Sequence, residues 1–436
     1  MDFLEKFFKL KENKTNVRTE VLAGITTFMT MAYILVVNPT ILSQAGMDKG
    51  ALFTATAISA FIATVLMGVY ANYPFALAPG MGLNAYFAYT IVIGKGYSFG
   101  FALTAVLLEG IVFIILTFTS VREKIINAIP YSLKQAVSSG IGIFIAFLGL
   151  IQSGLIKTGK GVPLELGNLT SLSSLATIFG IIVTIFLLIK IVKGAILLGM
   201  IFTTIVCIIT GVSKAPSGIV AFPSSISPIF MSFEFSKVFS FEMLIALFAF
   251  LFVDLFDTVG TLVGVSSKSN MLDKDGNLPK AREALFADAV GTTVGACLGT
   301  STVTTFVESS AGVAEGGRTG LTAIVTAILF LLALIFEPIF SIIPSYATSS
   351  ALIVVGLFMI TSIRNINFED YTEGLPAFLT IIMMPLSYSI ANGIVFGIVS
   401  YAVLKLISGK RKEVSAIVYI LAILFIIKFI AESFIS

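Results

Sequence analysis

Long runs of uncharged, apolar residues, following one another almost without pause, constrain this chain more than any other feature. A helix that crosses a bilayer needs about 20 consecutive, mostly apolar residues. Such runs lie at 19–42, 50–71, 99–120, 133–155, 171–190 and 194–212, and again at 241–264, 281–299, 318–337, 346–364, 374–389 and 391–407. Two further stretches, 75–91 and 303–316, are apolar but interrupted. Composition agrees, with 57% hydrophobic residues, 12% charged and a mean hydropathy of +1.03, where soluble domains have about 45–50% and 25%. The fold class is therefore an all-α polytopic membrane protein of 14 segments, with the lipid bilayer as its first partner. A last apolar stretch, 415–434, carries Lys428 and Glu432, which weigh against full spanning.

The net charge of +3 is too small to suggest nucleic acid, and the basic residues sit in short clusters between the runs. Arg122 and Lys124, Lys190 and Lys193, Lys268, Lys274, Lys280 and Arg282, Arg318, Arg364, and Lys410-Arg411-Lys412 all fall on one side if the N-terminus is inside. Lys95 and the lysines of 157–160 are the exceptions. The positive-inside rule then predicts a multi-pass protein of the cytoplasmic membrane with a cytoplasmic N-terminus. Within residues 1–18, Phe3, Leu4, Phe7, Phe8 and Leu10 alternate with Glu5, Lys6, Lys9 and Lys11. That pattern predicts an amphipathic helix at the interface rather than a cleaved signal. Cys207 and Cys297 lie inside apolar runs without metal-ligand spacing, and the chain has no histidine. No metal or cofactor is expected, and proton chemistry falls to carboxylates.

The two interrupted stretches occupy the third place in each half of the chain. In the first, Ala78-Pro79-Gly80-Met81-Gly82-Leu83-Asn84 breaks a helical ladder. In the second, Val303-Thr304-Thr305-Phe306-Val307 has the composition of a short strand, and Glu308-Ser309-Ser310 then resembles a helix start. Other matches recur in the same order. Ala51-Leu52-Phe53 and Ala284-Leu285-Phe286 open segments 2 and 9; Ile129-Pro130 with Gly142 and Phe144 parallels Ile343-Pro344 with Gly356 and Phe358; Gly194 and Gly393 begin segments 7 and 14. Seven segments per copy makes the second copy enter from the opposite side, an inverted repeat whose paired broken segments point to a binding site near the midplane. The expected boundaries are an N-terminal piece (1–18), a first repeat (19–212), an extracellular linker (213–240), a second repeat (241–407) and a C-terminal piece (408–436) with a basic loop and the extra apolar stretch.

The ionisable residues deep in these segments are acidic: Glu109, Asp254, Asp257, Asp288 and Glu308. A carboxylate at that depth is costly and marks a functional site. It must be protonated, solvated in a cavity, or bound to a cation or to ligand N–H groups. Asp254 and Asp257, three residues apart, share a helix face, and two carboxylates so close favour a shared proton. Asn84 adds an amide that donates and accepts, although it could instead cap the helix beside Gly80. Phe252, Phe256, Phe306 and Tyr86 could pack against a flat heterocycle. Glu315 and Glu337, near segment ends, read as solvated surface residues.

Several of these stretches resemble the azaguanine-type purine permeases of the nucleobase:cation symporter-2 family. They are Asn16-Val17-Arg18-Thr19-Glu20, the run from Ala23 to Ile34 with Val37-Asn38-Pro39, Pro79-Gly80-Met81-Gly82-Leu83-Asn84-Ala85, and Asp254-Leu255-Phe256-Asp257-Thr258-Val259-Gly260. Glu308-Ser309-Ser310-Ala311-Gly312, Gly316-Gly317-Arg318-Thr319-Gly320 and Pro385-Leu386-Ser387-Tyr388-Ser389-Ile390-Ala391 complete the set. The resemblance implies a core domain (segments 1–4 and 8–11) and a gate domain (5–7 and 12–14), often in a homodimer, and proton-coupled uptake of adenine, guanine or hypoxanthine. It places substrate contact at Asn84, Asp254 and Glu308, with Asp257 in support. The expected site is Asn84, Asp254, Glu308, Phe252, Phe306 and Ser309 for the purine, and Asp254, Asp257 and Glu308 for the proton, positions that a sodium ion would also suit. The rival readings are an anion carrier of the same fold and, more remotely, an intramembrane aspartyl protease built on Asp254 and Asp288.

Overall fold

The computed structural model describes the chain except residues 1, 120–129, 160–161, 212, 214–217, 269–270, 272–277 and 436, and except the side chains of 2, 3, 256, 259, 260, 263, 264, 267, 268 and 428–435. Phe3, Arg122, Lys124, Ile129, Lys160, Lys268, Lys274, Lys428 and Glu432 therefore fall outside the described side chains, as does the ring of Phe256. The elements in order are α1 (Asp2–Phe7), α2 (Val17–Met31), α3 (Ile34–Ser43), α4 (Lys49–Ala71), β1 (Leu77–Pro79), α5 (Met81–Gly94), α6 (Phe99–Thr117) and α7 (Tyr131–Gln152). A hairpin of β2 (Ile156–Lys157) and β3 (Glu165–Leu166) leads to α8 (Leu172–Ile189) and α9 (Ala195–Ile209). Then come α10 (Phe241–Lys268), α11 (Ala281–Leu298), β4 (Val303–Thr305), α12 (Ser309–Ala314), α13 (Gly320–Ser341), α14 (Ser345–Asn365), α15 (Tyr371–Leu386), α16 (Ile390–Ile407) and α17 (Ala416–Ile435). Each predicted segment thus meets a helix, or a strand followed by a helix. Among the described residues eight helices are long and apolar enough to cross a membrane, and the protein is a multi-pass membrane protein.

The strands come from the two interrupted stretches and pair with each other, antiparallel, in the register Leu77↔Thr305, Ala78↔Thr304, Pro79↔Val303. Phe306 N–H donates to Ala76 O and Gly80 N–H to Thr302 O, both at 3.0 Å. Bonded and non-bonded pairs alternate along such a ladder. Ala78 and Thr304 therefore bond across it, while Leu77, Pro79, Val303 and Thr305 turn their backbone polar groups outward. Pro79 has no N–H and sits where the ladder needs none. The outward groups that open each strand are taken by a threonine of the preceding helix. Thr64 accepts from Leu77 N–H at 2.9 Å and donates to Leu77 O at 3.1 Å; Thr292 accepts from Val303 N–H at 3.2 Å and donates to Val303 O at 2.9 Å. A two-strand pair deep in the chain is viable because its edges are satisfied in this way.

By contact the chain divides into two compact units, residues 1–115 with 148–354, and residues 116–147 with 355–436. The first contains the strand pair. It also takes in α8 and α9, which the family resemblance assigns to the gate: a Cβ on Gly194, at the start of α9, would lie 2.8 Å from Met29 O, and Lys193 pairs with Glu315 at 2.7 Å. The N-terminal residues are amphipathic as expected, but they dock on protein, with Phe8 and Leu10 buried against Leu321. Glu20, fully buried, accepts from the N–H groups of Arg318, Thr319 and Thr322 at 2.9, 3.3 and 3.1 Å and so caps the start of α13. The linker is pinned at two of its described residues. Ser224 donates twice to Glu337, at 2.8 Å from its N–H and 2.5 Å from its hydroxyl, and Glu234 N–H bonds Thr104 Oγ1 at 2.8 Å. Glu337 is thus a structural acceptor rather than a solvated surface group.

In the second unit, the glycines that the repeat aligns face each other. A Cβ on Gly356 would lie 2.5 Å from Gly142 O, and one on Gly142 would lie 2.8 Å from Gly356 O. Here also is a deeply placed base that the sequence reading missed. Lys405 is 2% exposed and pairs with Glu373 at 2.7 Å and Glu413 at 2.9 Å, while Tyr401 and Ser132 hydroxyls donate to the same Glu373.

Candidate functional site

The acidic candidates gather around the strand pair, all within the first unit. On α10, Asp254 is fully buried and Asp257, one turn on, is partly exposed. Asp257 Oδ2 lies 3.6 Å from where a Cβ on Gly80 would sit, at the junction of β1 and α5. Glu308 occupies the matching junction of β4 and α12, and its carboxylate Oε1 accepts from the Tyr33 hydroxyl at 2.5 Å. Asp257 and Glu308 are within electrostatic reach of each other, and Asp288 is within reach of Asp257. The α-helical spacing of Asp254 and Asp257 thus places one carboxylate inside the protein and the other at the broken ends.

Asp254 belongs to a hydroxyl-linked network. Thr258 Oγ1 lies 3.1 Å from Asp254 Oδ1, 2.8 Å from Asp288 Oδ1 and 2.7 Å from Thr304 Oγ1. Asp288 sits with Asp254 on one threonine. Glu109 accepts from Thr302 Oγ1 at 2.5 Å. Next to Thr302, Ser301 donates to Asn84 Oδ1, which ties α5 to the approach to β4. The Asn84 side chain does not cap its own helix; the cap position is Gly80, with no side-chain bond. Asn84 Nδ2 is buried without a hydrogen-bond partner among the described residues. A buried amide with a spare donor is costly unless a ligand or water completes it.

The remaining candidates lie on the same elements or close to them in sequence. Ser309 Oγ accepts from Ala76 N–H at 3.0 Å, so its hydroxyl fastens α12 to the lead-in of β1. Phe252 and Phe306 are each 5% exposed, and Phe252 packs on Phe248 with ring centroids 4.5 Å apart. Tyr86 stands edge-on to Phe250 at 4.9 Å. Glu315 is a surface group paired with Lys193, as its position near a segment end suggests.

Thr258 and Tyr33 stand out among the participants that the sequence alone does not single out. Thr258 lies four residues after Asp254, a spacing at which side chains meet on a helix, so its role was open to inspection. Tyr33 lies within a run read as one helix, which the structure divides at Ala32–Tyr33 into α2 and α3 with tightened turns, Leu35 N–H to Ala32 O at 3.1 Å and Val36 N–H to Tyr33 O at 3.0 Å. A tyrosine at mid-span needs a partner for its hydroxyl, and that need was the available signal.

Two broken segments pairing deep in the chain, with carboxylates at both junctions, define a secondary-transporter architecture. The chain belongs to the Permease family, the nucleobase:cation symporter-2 group, which it matches over residues 18–396. It is 50% identical to a permease of Methanocaldococcus jannaschii over 99% of both chains. It is 45% identical to the guanine/hypoxanthine permease PbuG of Bacillus subtilis, over 98% of this chain and 99% of that one. It is 41% identical to the adenine permease AdeP of Escherichia coli, over 98% and 96%. Among solved structures, the transmembrane domain of the cyanobacterial bicarbonate transporter BicA superposes with a TM-score of 0.66 at 16% identity, over 86% of this chain and 97% of that one. SLC26A9 superposes with a TM-score of 0.63 at 11% identity, over 91% and 67%. These two likenesses establish the fold. A permease moves its substrate unchanged, and the chain is a transporter rather than an enzyme.

Proposed function

We propose that this protein is a secondary active transporter that takes up purine nucleobases, adenine, guanine or hypoxanthine, together with protons across the cytoplasmic membrane. The observation that carries the reading is the set of carboxylates at the paired broken segments, in a chain more than 40% identical to adenine and guanine/hypoxanthine permeases along nearly its whole length. A purine is flat, neutral and edged with N–H donors and ring-nitrogen acceptors. Asp257 and Glu308 offer acceptors at the junctions, Asn84 offers a spare donor, and Phe252 and Phe306 offer ring faces. Asp254, linked through Thr258 to Asp288, holds a proton. Charging and discharging this set gives the outward- and inward-facing states different affinities, which is all that coupling requires.

In this reading residues 19–212 and 241–407 are inverted copies joined by an extracellular linker (213–240), the N-terminus is cytoplasmic and the assembly is a homodimer. The antiparallel register of β1 and β4 and the matched roles of Thr64 and Thr292 support the inverted relation. The test is uptake of labelled adenine, guanine and hypoxanthine into proteoliposomes under a proton gradient, a sodium gradient or neither, for wild type and Glu308→Gln. Proton-driven accumulation lost in the variant is expected. Accumulation driven only by sodium would replace the coupling ion, and absence of purine transport from folded protein would refute the substrate.

A further inference from the structure

We propose that Tyr33 acts as a built-in stand-in for the purine, holding Glu308 while the carrier is empty so that the empty carrier can return. The inference rests on the transport reading above and goes beyond it. The Tyr33 hydroxyl donates to Glu308 Oε1 at 2.5 Å, the length of a strong bond to a charged acceptor. Tyr33 is fully buried, and among the described residues it is the only other residue that donates to that carboxylate. Asp257 acts electrostatically on the same hydroxyl. The side chain leaves the chain where helix α2 stops at Met31 and α3 restarts at Ile34. Thr30, one turn earlier, donates its hydroxyl proton within its own helix, to Thr27 O at 2.8 Å, and its Oγ1 packs 3.4 Å from Glu308 O.

The consequence for transport follows from the cycle. A symporter that delivers purine and proton inside must next move back with neither. During that step a carboxylate this deep in the membrane is costly without a partner. Tyr33 supplies the hydrogen bond then, and yields Oε1 when a purine N–H arrives. In exchange, where purine is carried in both directions, the carrier never returns empty and Tyr33 is not required. A residue that only shaped the pocket would matter equally in both modes.

The experiment compares Tyr33→Phe with wild type in proteoliposomes, using labelled adenine, guanine and hypoxanthine in two modes: net uptake driven by a proton gradient, and counterflow against internal unlabelled purine. For Tyr33→Phe, net uptake should slow by about tenfold or more, the worth of a hydrogen bond to a charged group. Counterflow should stay close to the wild-type rate, and the purine Kd should be unchanged or lower because a competitor for Oε1 is gone. Equal loss in both modes, no loss in either, or weaker purine binding overturns the assignment of Tyr33 and leaves the purine reading intact. Wild type inactive toward purines in both modes overturns the substrate reading and this inference with it. If Tyr33→Phe does not fold, 3-fluorotyrosine placed at 33, a stronger donor of the same shape, serves instead. It should raise the purine Kd, and a Kd equal to or below that of wild type overturns the assignment.

Discussion

Replacing Thr64 or Thr292 by valine tests whether the strand pair is held by the helices behind it. Valine keeps the branched shape of threonine and replaces the hydroxyl by a methyl, which cannot bond the backbone. In the wild type that hydroxyl satisfies two backbone groups of one strand residue: Leu77 N–H and C=O through Thr64, at 2.9 and 3.1 Å, and Val303 N–H and C=O through Thr292, at 3.2 and 2.9 Å. Both threonines are fully buried, and Leu77 and Val303 are too. The register turns these groups away from the partner strand, so no ladder bond replaces the lost one and no water reaches them. A buried polar group left unpaired costs about 1–3 kcal/mol. Two such groups give each variant a loss of about 2–6 kcal/mol, with similar values for Thr64→Val and Thr292→Val because the two arrangements match. The assay is the apparent melting midpoint of purified protein in detergent, with Thr210→Val as control, since Thr210 is exposed and bonds only the end of its own helix. Both buried variants should melt several degrees below wild type while the control does not move. Purine binding should weaken in step, because the strands carry both junctions. Midpoints equal to the control would refute the claim that these hydroxyls hold the strands.

Three further outcomes follow from the structure. Gly320→Ala would put a Cβ 1.8 Å from Gly68 O, a contact between backbones that no rotamer relieves, and should cost about 3 kcal/mol, the upper range of overpacking; Gly218→Ala, with its nearest neighbour at 3.7 Å, should melt with wild type. Lys405→Met removes the base shared by Glu373 and Glu413 and should lower stability by about 3 kcal/mol, whereas Lys405→Met with Glu373→Gln should recover most of the loss in the same melting assay. Outside the membrane, the hydrogen bond from Lys410, helped by Thr372, holds the Asp370 carboxyl well below the usual carboxylate range. Its stabilisation is therefore present above about pH 4, where the unfolded carboxyl titrates, and fades as pH falls below that toward the folded value. The midpoint difference between wild type and Asp370→Asn should accordingly be larger at neutral pH than in strong acid, and a difference that grows on acidification would refute the sign.

The helices were legible because bilayer thickness sets their length and the absence of charge marks them. The strands were legible for a related reason: Pro79 and Gly80 cannot continue a helix, and Val303-Thr304-Thr305 has little reason to start one. What could not be read was where side chains point across sequence distance. Asn84 carried two readings, cap or ligand group, and only the position of Ser301 shows that it reaches the other broken segment. Glu337 looked like a solvated end residue until Ser224 of the linker was seen to lie on it. Lys405 lies close to a segment end, where long basic side chains normally reach water; here Glu373 and Glu413 close over it. Tyr33 was hidden by a break with no glycine at it, inside a run whose apolar pattern continues through.

The fold itself does not choose a cargo, since solved structures that share it include a bicarbonate transporter. Two broken segments meeting end to end bring backbone N–H groups toward one place, and such groups by themselves favour an anion. In this chain the junctions also carry Asp257 and Glu308, with Asp254 and Asp288 behind them on Thr258. An anion entering there would meet carboxylates within electrostatic reach of one another, in a setting where repulsion is poorly screened. A neutral heterocycle meets acceptors instead, and its N–H groups supply what the carboxylates lack. On this argument the sign of the side chains at the junctions, rather than the architecture, separates a nucleobase carrier from an anion carrier. Replacing Asp257 and Glu308 together by Asn and Gln should then abolish purine uptake while making the site less hostile to bicarbonate or sulfate, measurable as anion flux into proteoliposomes. A double variant that still accumulates purine would show that the carboxylates at the junctions are not what selects it.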